Sequence, residues 1–135
     1  GVEAPAERIL ESDFSSTGGY RAAAQLLDGG QPPSAIFAGN DMMGIGVLRA
    51  AAERNIRVPS ELSVIGFDDI LMSRYVYPAL TTVGQSILQL GETAAELLLR
   101  RIACRELPVD QRIVTPNIVL RESTAPLGGA FAEYR

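Results

Sequence analysis

Apolar residues fall along this chain in short solid runs separated by stretches with helical spacing. The runs Ala35–Ala38 and Val64–Phe67 are each too short for a helix and predict strands buried on both faces. Between them Met43, Val47 and Ala51 recur at helical spacing, as do Ile45, Leu48 and Ala52, in a run to Asn55, which suits a left-handed cap. Strand, helix and strand in that order predict a right-handed crossover between parallel strands. Upstream, residues 1–7 read as a loop and Arg8–Ser12 as a strand with Ile9 inward. A helix follows from Gly18 to about Leu27, with Thr17 as its N-cap and Tyr20, Ala23, Ala24 and Leu27 facing in. Gly29-Gly30 ends it and Pro32-Pro33 prevents its resumption. Downstream, Ile70–Pro78 reads as an ordered surface segment and Leu80–Val83 as a strand. Ser86 caps a long helix to about Cys104, striped by Leu90, Ala94, Leu97, Leu98 and Ile102. Ile113-Val114 and Ile118–Leu120 are short strand candidates separated by Pro116, and residues 123–135 form a tail that Phe131 and Tyr134 could dock.

Polar and aromatic side chains gather where these strands end. Phe14 follows the first, Asn40 and Asp41 the second, Asp68 and Asp69 the third, and Gln85 the fourth. In open parallel sheets the ligand crevice lies outside those carboxyl ends. Asp68 can accept two hydrogen bonds from vicinal hydroxyls, Asn40 and Gln85 each offer donors and an acceptor, and Phe14 can cover an apolar ring face. Simpler roles compete with these. Asn40 or Asp41 is a good helix N-cap, and Asp41 is read as only that. Asp69 reads as a solvated or turn carboxylate, and Phe14 could instead plug the core. Asp41, Asp68 and Asp69 together suggest magnesium or phosphoacceptor chemistry, but no lysine accompanies them.

Composition narrows the classes. All 12 basic residues are arginines, spread along the chain, and the net charge is −4, which argues against a nucleic-acid surface in this segment. Histidine, lysine and tryptophan are absent and Cys104 is the sole cysteine. Ser-His-Asp and Cys-His catalysis, histidine or cysteine metal sites, and lysine chemistry are thereby excluded, and no enzyme or cofactor is expected. No window approaches the ~20 apolar residues of a membrane span. At 135 residues the chain is one domain or a substantial piece of one. Its opening, Gly-Val-Glu-Ala-Pro, is expected to belong to an excised part of a longer protein, so localisation signals are uninformative.

Several motifs occur in a fixed order: Asp13-Phe-Ser-Ser-Thr-Gly-Gly-Tyr20, Gly39-Asn-Asp-Met-Met-Gly-Ile-Gly46, Arg57-Val-Pro-Ser-Glu-Leu-Ser-Val-Ile-Gly-Phe-Asp-Asp69, Pro78-Ala-Leu-Thr-Thr-Val83, Leu90-Gly-Glu-Thr-Ala94 and Leu120-Arg-Glu-Ser123. Over about residues 1–125 the set resembles the effector-binding region of the lactose-repressor/galactose-repressor (LacI/GalR) transcription regulators. The resemblance implies a type I periplasmic-binding-protein-like fold, a three-layer α/β/α with a parallel sheet, of which this chain is mostly the C-terminal lobe. Residues 1–83 would belong to that lobe, 84–115 would cross to an N-terminal lobe that is mostly absent from the sequence, and 116–135 would return. It implies a small-molecule effector, a sugar rather than a purine, contacted by Asp68, Asn40, Phe14 and Gln85. A homodimer through Arg74, Tyr75, Val76 and Tyr77 is implied too. Operator DNA would be held by a missing N-terminal domain, in the cytoplasm and with no membrane partner. Met43-Gly44 departs from the commoner Met-Ala, which is expected to affect only packing. A periplasmic sugar-binding transport receptor of the same fold is the alternative, and a flavodoxin-like or receiver-type enzyme is a third and weaker one. The stripe on the long helix would normally cover a sheet mostly missing here, so self-association, domain exchange or a displaced helix is expected.

Overall fold

Among the described residues the sheet is built around one strand–helix–strand crossover between parallel strands, and two helices cover one of its sides. The computed structural model describes residues 5–106 and 108–126. Helix α1 spans Ser16–Leu27, strand β1 Ala35–Phe37, helix α2 Asp41–Glu53, strand β2 Ser63–Phe67, strand β3 Thr81–Gly84, helix α3 Ile87–Ala103 and strand β4 Asn117–Val119. The sheet order is β1-β2-β3-β4. β1 and β3 run parallel to β2, with Ile36 opposite Val64 and Gly66 opposite Thr82. β4 returns antiparallel to β3, opposing Val119 to Thr82. The parallel sheet thus gains one antiparallel edge, a common ending for such sheets.

Period-two alternation places Ile36, Val64 and Gly66 on one face of the sheet. Val64 is fully buried there with Ala23, Leu27, Val47, Leu48, Ala50, Ala51, Leu62 and Leu80. Helices α1 and α2 cross at two glycines. A Cβ on Gly46 would stand 2.0 Å from the Ser16 carbonyl oxygen, and one on Gly19 would stand 2.4 Å from that of Met43. The helix axes can approach this closely only because those hydrogens take the place of side chains.

The segment after β4 stitches the base of the sheet. Ser123 Oγ donates to the Val64 carbonyl at 2.6 Å and accepts the Thr81 N–H at 2.8 Å. Glu122 exchanges backbone and side-chain bonds with Ala79. Leu120-Arg-Glu-Ser123 is therefore an anchor, which its composition alone does not disclose.

Several expectations need correction. Arg8–Ser12 forms no strand: Ala6–Arg8 is a 3-10 turn and Ile9 is 66% exposed. Among the described residues β1 pairs with β2 alone, so the segment passes its open edge without forming a ladder there. Ser15 rather than Thr17 caps α1, its Oγ accepting the Gly18 N–H at 2.9 Å. Asp13 decides this by taking both the Ser15 N–H and hydroxyl. Ile113-Val114 forms no strand, and Ile113 is 92% exposed. Asn40 caps α2, with its Oδ1 accepting the Met43 N–H at 2.8 Å, so the capping role assigned to Asp41 falls to its neighbour. Asn55, just beyond α2, takes the expected left-handed conformation at φ 55. Ser86 caps α3 as expected, and that helix carries no buried residue. The docking expected of Phe131 and Tyr134 lies outside the described residues.

Candidate functional site

Each candidate side chain stands where an element begins or ends at the carboxyl edge of the parallel strands. Asn40 follows β1, Asp68 follows β2, Gln85 follows β3 and Phe14 precedes α1. The structure brings them together in two pairs. Gln85 Nε2 donates to Asp68 Oδ1 at 3.1 Å, and both residues are half-buried. Asn40 Nδ2 donates to the Phe14 carbonyl oxygen at 3.0 Å. Phe14 does not plug the core. It is 67% exposed, at a left-handed φ of 58, and its ring edge lies 3.8 Å from where a Cβ on Gly39 would be.

Asp41 joins the pairs from beneath. It is fully buried, its Oδ2 accepts the Ile70 N–H at 2.9 Å, and its Oδ1 accepts the Thr82 hydroxyl at 2.5 Å. Burial pushes its carboxyl above the ordinary range, aided by the nearby Asp68 and Asp69 charges and opposed by those two hydrogen bonds.

Asp69 is not a solvated carboxylate. It is bonded closely by Arg121, with Arg74 at 3.4 Å on its other oxygen. Burial alone would raise its pKa, but the Arg121 guanidinium, with Arg74 behind it, more than reverses that and holds it below the usual carboxylate range. Arg121 also donates to Ser73 Oγ and the Leu80 carbonyl, each at 2.8 Å. Arg121 and Thr82 are the members of this arrangement that sequence reasoning missed. The signals were a lone arginine inside Leu120-Arg-Glu-Ser123 and a hydroxyl in a strand whose neighbours are buried.

Arg74 closes the 3-10 turn Leu71–Arg74, and beyond it Tyr75 and Tyr77 are 76% and 93% exposed. Val76 instead packs against the core. Three of these four residues thus reach the surface. Leu71 and Met72 of the same segment are exposed as well, at 69% and 55%.

Chemically the arrangement offers an acceptor carboxylate, two amides and an exposed ring at strand and helix ends, the kinds of group that line small-ligand sites. Among the described residues no group of three His, Cys, Asp or Glu side chains is placed to hold a metal ion. No described helix is long and apolar enough to cross a membrane.

Residues 1–124 match the family described as periplasmic binding protein-like domain. The HTH-type transcriptional repressor PurR of Escherichia coli O1:K1 is 40% identical over 134 residues, which are 99% of this chain and 39% of that protein. A LacI family transcriptional regulator from Enterococcus faecium, solved with bound ribose, superposes with a TM-score of 0.79 at 40% identity. That match covers 87% of this chain and 43% of the other. The transcriptional regulator CelR in its cellobiose complex superposes at 0.82 with 30% identity, over 89% of this chain and 37% of the other. This chain spans about two-fifths of the length of the curated relatives it matches. It belongs to the periplasmic-binding-protein-like domain family and corresponds to part of the effector-binding region of the LacI/GalR-type regulators.

Proposed function

We propose that this chain supplies one jaw of an effector-binding site in a LacI-type DNA-binding regulator, and that the effector is a sugar. The observation that carries the reading is the Gln85–Asp68 pair, held at the carboxyl ends of adjacent parallel strands. One Asp68 oxygen takes Gln85, which leaves the other to accept from vicinal hydroxyls. Gln85 keeps its carbonyl oxygen as an acceptor, and Asn40 keeps one amide hydrogen beyond its bond to Phe14. Phe14 covers an apolar ring face. Ribose, a pentose, and cellobiose, a disaccharide of hexose units, in the two regulator structures support a sugar.

In this reading residues 84–115 cross to a second lobe and 116–126 return, so that effector binding closes the lobes on each other. Closure changes operator affinity only if effector prefers one arrangement of the two lobes. The exposed segment at Arg74, Tyr75 and Tyr77 lies on the homodimer face, and Val76 backs it from the core.

A thermal-shift screen of sugars and nucleobases on the intact protein tests the effector class. A stabilising pentose or hexose supports it, and stabilisation by nucleobases alone overturns it. Asp68→Ala, titrated with the stabilising compound, is expected to weaken binding by about thirtyfold or more, the loss that follows when a charged hydrogen-bond partner is removed. Unchanged affinity and unchanged effector control of DNA binding would overturn the assignment of Asp68.

A further inference from the structure

Asp41 opens α2, yet its carboxylate does not cap the helix, because Asn40 fills that role. It turns instead into the sheet, fully buried, and among the described residues no ion pair compensates it. A buried carboxylate without a cation persists where its oxygens are satisfied by donors. Here the donors come from the turn that follows β2 and from β3.

Ile70 N–H reaches Oδ2 at 2.9 Å and the Thr82 hydroxyl reaches Oδ1 at 2.5 Å. Thr82 Oγ1 in turn accepts the Asp69 N–H, at a long 3.4 Å. One carboxylate therefore governs the amides of both residues that follow Asp68. The strand next to it is shaped to admit it: a Cβ on Gly66 would stand 2.2 Å from Asp41 Oδ1.

The turn needs such a hold. Asp68 has φ 110 and Asp69 has φ 52, consecutive left-handed conformations in residues that carry a Cβ. Such conformations persist only where surroundings over-determine them. From above, Arg121 grips the Asp69 side chain. The Asp68 N–H is held by the Val83 carbonyl at 2.9 Å and the Ile70 carbonyl by Ser73. From below, Asp41 holds the Ile70 N–H and, through Thr82, the Asp69 N–H.

We propose that Asp41 is a positioning residue: by taking the Ile70 N–H and the Thr82 hydroxyl it fixes the left-handed pair Asp68–Asp69. It thereby sets the direction in which the Asp68 side chain leaves the turn toward Gln85. The functional meaning of this hold rests on Asp68 being the effector carboxylate, whereas the hold itself does not.

Amide hydrogen exchange on the intact protein, followed by mass spectrometry without added ligand, tests it. Asp41→Ala is expected to speed exchange at Asp69 and Ile70 by about tenfold or more, with β2 and β3 peptides unchanged, because the opening is local. Asp41→Asn is expected to restore most of the protection. Its amide oxygen can take the Ile70 N–H while the Thr82 hydroxyl rotates to accept from its NH2. Thr82→Val, which removes one donor and keeps the shape, is expected to give a smaller rise confined to the same two amides. It also serves if Asp41→Ala does not fold. Unchanged exchange at Asp69 and Ile70 in these variants overturns the proposal, as does a uniform rise across β2 and β3 that Asp41→Asn fails to reverse. Because no ligand enters the measurement, it can fail while Asp68 still binds effector, and it can succeed where Asp68 does not.

Discussion

Asn40 and Phe14 are joined side chain to backbone: the amide that caps α2 also donates to the Phe14 carbonyl oxygen at 3.0 Å. One residue therefore starts the helix and holds the backbone of Phe14 beside the candidate site. Asn40→Asp separates the two roles. It keeps the capping acceptor, and an anion suits a helix N-terminus, so unfolding stability should stay within about 0.5 kcal/mol of wild type. Its carboxylate would face the Phe14 carbonyl with no donor, so effector affinity should fall about tenfold. Asn40→Ala should lose both roles and cost about 1 kcal/mol in addition. Urea unfolding reads the first quantity and titration calorimetry with the effector from the screen reads the second. Unaltered affinity in Asn40→Asp would separate Phe14 from Asn40 control.

The crossing of α1 and α2 supplies a second prediction. Gly46→Ala places a methyl 2.0 Å from the Ser16 carbonyl oxygen, a backbone atom that no rotamer change can move aside. The helices must part, which opens the layer containing Ala23, Val47 and Ala50. A loss of about 3 kcal/mol or more is expected, at the upper end of overpacking costs. Gly30→Ala is the control, because nothing lies within 4 Å of a Cβ there. Urea midpoints of the two variants measure the contrast.

Much of this was legible from pattern. The runs at Ala35–Ala38 and Val64–Phe67 became β1 and β2, but burial on both faces fails. Val64 and Gly66 face the helices while Phe37 on the other face is 64% exposed, because among the described residues α1 and α2 cover one side only. Ser86 and Asn55 capped as their side chains allow. Arg8–Ser12 misled because a strand needs a ladder, and periodicity says nothing of whether one forms. Asp41 and Thr17 misled because adjacent residues can cap equally well by composition. For Asp41 the choice was made by distant groups, Ile70 and Thr82, and for Thr17 by a near neighbour, Asp13, which orients Ser15. Likewise the Asp69–Arg121 pair joins residues 52 positions apart, beyond any local pattern.

Among the described residues helix α3 presents its stripe to no layer, with Leu98 61% and Ile102 66% exposed. So much apolar surface on one helix favours association over solvation. The 135-residue chain is therefore expected to self-associate, giving a light-scattering mass above that of one chain at about 100 μM. Leu98→Glu with Ile102→Glu should return it to monomer. A monomer of the unsubstituted chain at that concentration would show that the stripe finds cover within its own fold.

Two neighbouring carboxyls give opposite signs of pH dependence, and the variants separate them. Asp69 is held below the ordinary 3.8 because Arg121 and Arg74 outweigh its burial. A depressed carboxyl contributes stability that is complete above its unfolded value and is lost as pH falls through its folded value, so the window lies below 3.8. Arg121→Met should remove that contribution, lowering stability at neutral pH and flattening its fall in acid. Asp41 is held above 3.8 by burial, so its folded form takes up a proton more readily than its unfolded form. Its unfavourable contribution is absent below 3.8 and grows as pH rises from there through its folded value. Asp41→Asn removes the ionisation and keeps the size. The stability difference between this variant and wild type should be flat below 3.8 and move in favour of the variant as pH rises above it. Urea midpoints taken between about pH 3 and pH 7 measure both slopes. A difference that moves the other way would mean that the donors from Ile70 and Thr82 outweigh the burial of Asp41.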